Sequence, residues 1–153
     1  MERKENINIL SVNISEKKGT VKRPVERILV NNKGVINDAH AGDWHRQVSL
    51  LGKESFERFS KTSGRTVVFG EFAENITTEG IELFHSTPGD RFLIGNVELE
   101  VTQIGKKCHG TGCAIFAEVG NCVMPKEGIF CKVIQSGEIN KGDTMIYVPM
   151  EKR

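Results

Sequence analysis

Short apolar runs broken by glycine-rich turns constrain this chain more than any other feature. Arg91–Ile94 and Val97–Ile104 alternate apolar and polar residues on either side of Gly95-Asn96, a dipeptide suited to a two-residue hairpin. In the second run Val97, Leu99, Val101 and Gln103 are expected to share one face. Ile7–Ile14, Pro24–Val30, Gly128–Ile134 and Asp143–Val148 read as further strands. Ser15–Thr20 and Asn31-Asn32-Lys33-Gly34 read as turns, and Thr66–Phe69 is a short apolar run. The best helix is Val48–Thr62, where Val48, Leu51, Phe56 and Phe59 recur at helical spacing and Gly64 supplies a stop. Ala114–Val119 reads as a second, short helix ended by Gly120-Asn121. Residues Pro88–Ile94 and Asn140–Ile146 echo each other, each placing a Gly-Asp turn before an alternating strand. This is repeated turn chemistry in a barrel, not a duplicated domain. The pattern predicts one mainly β domain over residues 1–153, a β-barrel or folded sheet with few helices.

Composition excludes several classes. The chain has 153 residues, a formal net charge of +1 and 38% hydrophobic residues. A chain of this length can bury a core without disulfides or metal. The near-neutral charge argues against a dedicated nucleic-acid binder, and one Trp with one Tyr leaves no aromatic platform for stacking bases. No apolar stretch is long enough to span a membrane, and the first residues lack the apolar core of a signal peptide. A cytoplasmic location is therefore expected, with its four cysteines as reduced thiols.

Three clusters could carry chemistry. The first, Asp38-Ala39-His40-Ala41-Gly42-Asp43-Trp44-His45-Arg46-Gln47, precedes the predicted helix. Such a loop could hold an anion through Arg46 and backbone N–H groups, or could simply enter the helix with Asp43 as its N-cap. The second is Lys106-Lys107-Cys108-His109-Gly110-Thr111-Gly112-Cys113, at the end of a strand. Two Lys and a His around Cys108 are the electropositive surroundings that lower a thiol pKa, and a thiolate is both nucleophile and soft-metal ligand. Cys131, inside an apolar run, reads as a small buried residue instead. No Cys-x-x-Cys pair supports structural zinc. A redox disulfide of Cys113 with Cys108 or Cys122 stays open. The third cluster is Gly70-Glu71-Phe72-Ala73-Glu74-Asn75-Ile76-Thr77-Thr78-Glu79-Gly80, a turn and a short polar strand. His85 reads as solvated. No Walker loop, dinucleotide fingerprint, nucleophile elbow or His-Glu-x-x-His helix is present.

Taken in order, and with Gly89-Asp90, Val101–His109 and Cys122–Phe130, these clusters resemble the MOSC domain, named for the C-terminal domain of molybdenum cofactor sulfurase. The resemblance runs from about Ile9 to Val148 and is closest to short stand-alone bacterial members. It implies a β-barrel-like fold with few short helices and one characteristic cysteine, which maps to Cys108. It implies that Cys108 either ligates molybdenum or accepts sulfur from a pyridoxal-phosphate-dependent cysteine desulfurase. Pyridoxal phosphate itself is not expected in this chain. The resemblance places His40, His45, Arg46, Glu74 and Asn75 around the pterin of the molybdenum cofactor (Mo-molybdopterin). Arg46, Lys106 and Lys107 suit its phosphate. Partners implied are molybdopterin-biosynthesis proteins or the desulfurase, with neither nucleic acid nor membrane. Larger relatives reduce N-hydroxylated compounds with an electron-transfer partner. The sequence shows neither their extra N-terminal β-rich domain nor an electron-transfer domain, so cofactor or sulfur carriage is the first expectation. A small reductase and a non-catalytic sensor or assembly partner are the alternatives.

Overall fold

The computed structural model describes residues 5–17, 21–39, 41–64, 66–105 and 127–150. Eleven strands and one α-helix lie in these ranges: β1 Glu5–Ile14, β2 Arg23–Val25, β3 Arg27–Asn31, β4 Gly34–Val35, β5 Val48–Gly52, α1 Lys53–Ser63, β6 Ile76–Glu79, β7 Arg91–Ile94, β8 Val97–Ile104, β9 Ile129–Gln135, β10 Gly137–Asn140 and β11 Thr144–Val148. A 3₁₀ turn covers Leu83–His85. Seven strands run in the order β11-β7-β8-β9-β5-β6-β1, and pairing of β1 with β11 closes them into a barrel. Closure removes the free edges an open sheet would expose. β2 hangs on β1, and β10-β3-β4 form a small second sheet.

Alternation fills the barrel. Val97, Leu99 and Val101 of β8, Phe92 and Ile94 of β7, and Ile7 and Ile9 of β1 are all buried in one core with Leu50, Ile76, Ile129 and Met145. The hairpin across Gly95-Asn96 forms as its turn predicts, pairing Ile94 with Val97. The sequence echo is real turn chemistry. Asp90 accepts a hydrogen bond from the Thr87 N–H and Asp143 one from the Asn140 N–H, both at 2.8 Å. The strands that follow, β7 and β11, lie side by side in the barrel.

Three local expectations change. Val48–Gly52 is a strand, and the helix begins only at Lys53. All five residues of β5 are buried. Val48 and Leu50 enter the barrel core, whereas Leu51 joins Phe56, Phe59, Phe72 and Phe130 beneath the helix. A run buried on both faces carries no period that separates strand from helix. β5 pairs in parallel with β6, and α1 provides the crossover this requires. Gly64 does end the helix, in a left-handed conformation with its N–H on the Ser60 carbonyl. Second, Pro24–Val30 breaks at Glu26, so β2 pairs with β1 while β3 pairs with β10 and β4. Proline is tolerated on β2 because it is an edge strand. Third, Gln103 does not continue the buried face of β8. The register slips between Val101 and Gln103, so Thr102 bulges and Gln103 is only half-buried. The predicted Ala114–Val119 helix lies outside the described residues.

Gly70 illustrates how tightly the third cluster is seated. Its φ is 92°, and a Cβ there would sit 2.3 Å from the Lys22 carbonyl oxygen. Gly70→Ala is expected to destabilise the fold by about 3 kcal/mol, through backbone strain plus a clash with main chain that cannot swing away. Urea unfolding measures this directly.

Candidate functional site

The loop 38–47 leads into β5, not into the helix. Asp43 therefore caps nothing and pairs with Lys33 on the surface at 2.7 Å, while the helix N-cap is Gly52. Anion binding through the N-terminal N–H groups of α1 is not available to this loop. Two buried side chains hold it instead. Asp38 accepts hydrogen bonds from the Ser15 N–H (2.9 Å) and from Lys22 Nζ (2.9 and 3.1 Å). Gln47 donates to the carbonyls of Asn32 and Gly42, and its Oε1 accepts from the Val133 N–H at 2.9 Å. Nothing in the sequence marks Gln47 as the residue that ties the loop to β9, because its partner lies 86 positions away.

At the end of this loop Trp44, His45 and Arg46 meet the bulge of β8. The Arg46 guanidinium carbon stands 4.6 Å from the centre of the Trp44 ring and 5.6 Å from that of Phe130. Its Nε is buried and has no hydrogen-bond partner among the described residues. A guanidinium donor without an acceptor is costly, so this is the position where an anion would gain most. His45 Nε2 is 2.6 Å from Gln103 Oε1. Gln103 in turn donates from Nε2 to the Gly105 carbonyl at 2.6 Å. That second bond fixes which amide atom faces the imidazole, so His45 carries its proton on Nε2 and, when neutral, offers Nδ1 as an acceptor. Thr102 Oγ1 lies within reach of the carbonyls of His45 and Phe130, and its one proton serves one of them at a time. The bulge thus turns Thr102 and Gln103 out of the core toward His45.

Just beyond, the Gly105 N–H donates to the Gly128 carbonyl at 2.7 Å, joining the two ends of the stretch that contains Cys108. On the returning side Glu127 Oε1 accepts from Ser55 and Arg58, each at 2.5 Å. Arg58 also holds Glu82 at 2.7 and 2.9 Å. The two carboxylates hold its guanidinium well above its ordinary range, Glu82 contributing most. Cys108, Lys106, Lys107, His109, Cys113, Cys122 and His40 lie outside the described residues. Cys131 is fully buried, and burial pushes its thiol up, so it fills space in the core.

Glu74 and Asn75 belong to the third cluster. Both are completely buried. Asn75 Oδ1 accepts from the Ser49 N–H (3.0 Å), and its Nδ2 donates to the Asn13 carbonyl (3.2 Å), which stitches β6 to β5 and β1. Glu74 Oε2 accepts from the Gly70 N–H (2.8 Å) and from Thr77 Oγ1 (2.6 Å), while Oε1 has no partner among the described residues. Burial raises the Glu74 carboxyl to about 7, outweighing the hydrogen bonds that lower it. Ala73, just before it, has a φ of 66°, a strained value for alanine that the surrounding bonds hold in place. Among the described residues no group of three or more His, Cys, Asp or Glu could hold a metal ion, and no helix is long and apolar enough to cross a membrane.

The chain is thus a small domain built on a closed seven-stranded barrel, with Arg46 stacked against Trp44 and Phe130 beside His45. A family model for the MOSC domain matches residues 37–146. The chain belongs to the MOSC domain family, which is tied to molybdenum cofactor biology. Among solved structures it is similar to the YuaD protein from Bacillus subtilis, with a TM-score of 0.82, 16% identity, and 97% of this chain and 99% of that one covered. It is also similar to YiiM from Geobacillus stearothermophilus (TM-score 0.73, 22% identity, 93% and 75% covered). YiiM from Escherichia coli gives a TM-score of 0.67 at 16% identity, with 95% and 74% covered. At these identities the likeness is one of fold. No curated protein matches the sequence.

Proposed function

We propose that this domain binds or carries the molybdenum cofactor or its sulfur, with Cys108 as the reactive thiolate and Arg46 as the receptor for the cofactor's anionic end. The observation that supports this most is the buried, unpartnered Nε of Arg46, clamped between Trp44 and Phe130 beside His45. Cys108 follows Gly105 by three residues, a chain reach of at most about 11 Å. Gly105 is itself hydrogen-bonded to Gln103, the partner of His45. The thiolate and the arginine can therefore serve one bound group. When bound, the cofactor would supply a soft molybdenum centre that accepts a thiolate ligand. Arg46 would orient the pterin phosphate, and Lys106 and Lys107 add positive charge from the chain that follows. His40 belongs to the same loop. His45 would accept or return a proton at Nδ1. Glu74 and Asn75 act from behind, by holding β5 and β6 and so the loop that enters β5. In the carrier form the partner is a cysteine desulfurase or a molybdopterin-biosynthesis protein, and the domain works in the cytoplasm.

Native mass spectrometry of protein co-expressed with cofactor synthesis tests this. Wild type is expected to retain a molybdopterin mass, or to carry a persulfide adduct of about 32 Da on Cys108. Cys108→Ala abolishes either one. Arg46→Met leaves the persulfide in place but lowers cofactor occupancy about tenfold or more, the worth of a charge-assisted hydrogen bond. Wild type with neither mass, yet with a partner retained by Cys108→Ala, overturns the proposal in favour of a non-catalytic assembly role. Turnover of an N-hydroxylated substrate with a chemical reductant would extend it to a reductase.

A further inference from the structure

The two described histidines are held in different ways. His85 rests its ring against Phe84, with 4.5 Å between centres, and its imidazole makes no hydrogen bond among the described residues. His45 is held at two points, and both holders come from the bulge of β8. Thr102 Oγ1 lies within reach of the His45 carbonyl, and Gln103 Oε1 meets the imidazole Nε2 at 2.6 Å. In a regular strand successive side chains point to opposite faces. The slip in register between Val101 and Gln103 instead lets two successive side chains reach one residue of a neighbouring loop.

The amide of Gln103 is itself locked. Its Nε2 donates to the Gly105 carbonyl at 2.6 Å, and the reversed amide would set two carbonyl oxygens against each other there. Gly105 is fixed in turn. Its φ is 68°, a left-handed value that favours glycine, and its N–H donates to the Gly128 carbonyl at 2.7 Å. Main chain bonded through both its groups therefore decides which atom of Gln103 faces the imidazole. His45 Nε2 keeps its proton, and any proton the ring gains or loses is gained or lost at Nδ1. His45 is exposed, and Nδ1 makes no hydrogen bond among the described residues. The ring's other contact is the edge of Trp44, at 6.2 Å between centres. The charged side chain next in the chain, Arg46, is turned onto Trp44 and Phe130, and no described carboxylate is hydrogen-bonded to the imidazole.

We propose that Gln103 is the positioning residue of this site: it fixes His45 as the Nε2–H tautomer and so makes Nδ1 the one atom that exchanges a proton with the bound group. This deepens the cofactor reading and rests on it for the identity of that group. Arg46 asks for an acceptor and the neutral His45 for a proton donor. The group that fits both carries an S–H or O–H as well as a negative charge. With an S–H, the proton passes to Nδ1 and the bonding electron pair stays on sulfur. The products are a sulfur anion and an imidazolium still held at Nε2 by Gln103 Oε1.

Long-range ¹H–¹⁵N NMR of the imidazoles, recorded on the whole chain without cofactor between about pH 5.5 and 8.5, tests this across the range in which histidine titrates. In wild type the His45 Nε2 is expected to stay protonated throughout, with its N–H signal visible, while Nδ1 alone changes as the ring titrates. His85 is the internal reference, because nothing fixes which of its nitrogens holds the proton. Gln103→Leu should lose the His45 Nε2–H signal to solvent exchange and let both nitrogens shift with pH, as those of His85 do. Gln103→Glu still accepts from Nε2–H but cannot donate to Gly105, and it should restore the wild-type pattern. A general loosening of the bulge would not be repaired by that variant. A wild-type Nε2 that loses its proton at high pH, or a Gln103→Leu spectrum equal to that of wild type, overturns the inference. If the Nε2–H pattern holds but co-expressed wild type carries neither cofactor nor persulfide, the cofactor reading fails and the role of Gln103 stands.

Discussion

Lys22→Met is expected to lower the unfolding free energy by about 3–5 kcal/mol at neutral pH, the usual cost of removing one partner from a buried ion pair. The Lys22 and Asp38 side chains are both fully buried, and Lys22 Nζ reaches Asp38 at 2.9 and 3.1 Å and Ser15 Oγ at 3.1 Å. Methionine keeps much of the lysine stem's volume, so packing changes little and the charge left on Asp38 dominates. The double variant Lys22→Met with Asp38→Leu should recover most of the loss, because a buried pair contributes little net stability over apolar residues of similar volume. The same substitution reaches the site, since Asp38 opens the loop that ends at Arg46. Urea unfolding of the two single variants and the double measures the coupling. A single-variant loss below about 1 kcal/mol would mean that Asp38 finds water or another cation, contrary to its burial.

The second large effect is a dependence of stability on pH. The Glu74 carboxyl lies near 7 in the folded protein and near its ordinary 4.5 when unfolded. Below 4.5 both states hold the proton, and Glu74 contributes no slope. Between 4.5 and 7 the unfolded chain ionises first and binds fewer protons than the native state, so stability falls as pH rises. The slope approaches about 1.4 kcal/mol per pH unit, for a total of about 3 kcal/mol, and vanishes above 7 where both states are ionised. Glu74→Gln should remove this component, because the amide oxygen can accept from the Gly70 N–H and Thr77 as the carboxyl does. The difference between wild type and Glu74→Gln, followed by urea unfolding from pH 4 to 8, isolates it from every other group. Equal slopes would show that water or a rearranged partner reaches Oε1.

Both effects arise from residues whose roles the sequence left dark. Asp38 and Glu74 lie in clusters that read as candidate ligand sites, and both are buried inside the protein. A polar residue looks the same in sequence whether it faces a ligand or a buried main-chain N–H. Lys22 stands beside Arg23 in a short polar segment, and its residue type does not tell that it is buried. Asn75, Asn13, Ser49 and Thr77 form a network across three strands that are distant in the chain. In contrast, the Gly95-Asn96 hairpin, the Gly64 helix stop and the paired Gly-Asp turns were readable, because a turn is encoded by residues in immediate succession. Cys131 was also readable as a core residue from its apolar neighbours.

By itself the sequence determined the class of fold, the strands that alternate, the turns that join them, and the residue types able to hold an anion and carry a thiolate. These depend on interactions within a few residues. Only the tertiary structure decided that Val48–Gly52 is a strand, that Thr102 bulges and brings Gln103 to His45, and that Arg46 is caught between Trp44 and Phe130 with an unused donor. Each of these is settled by a partner far away in the chain, through burial on two faces or a long-range hydrogen bond, and no local pattern of residues encodes such a partner.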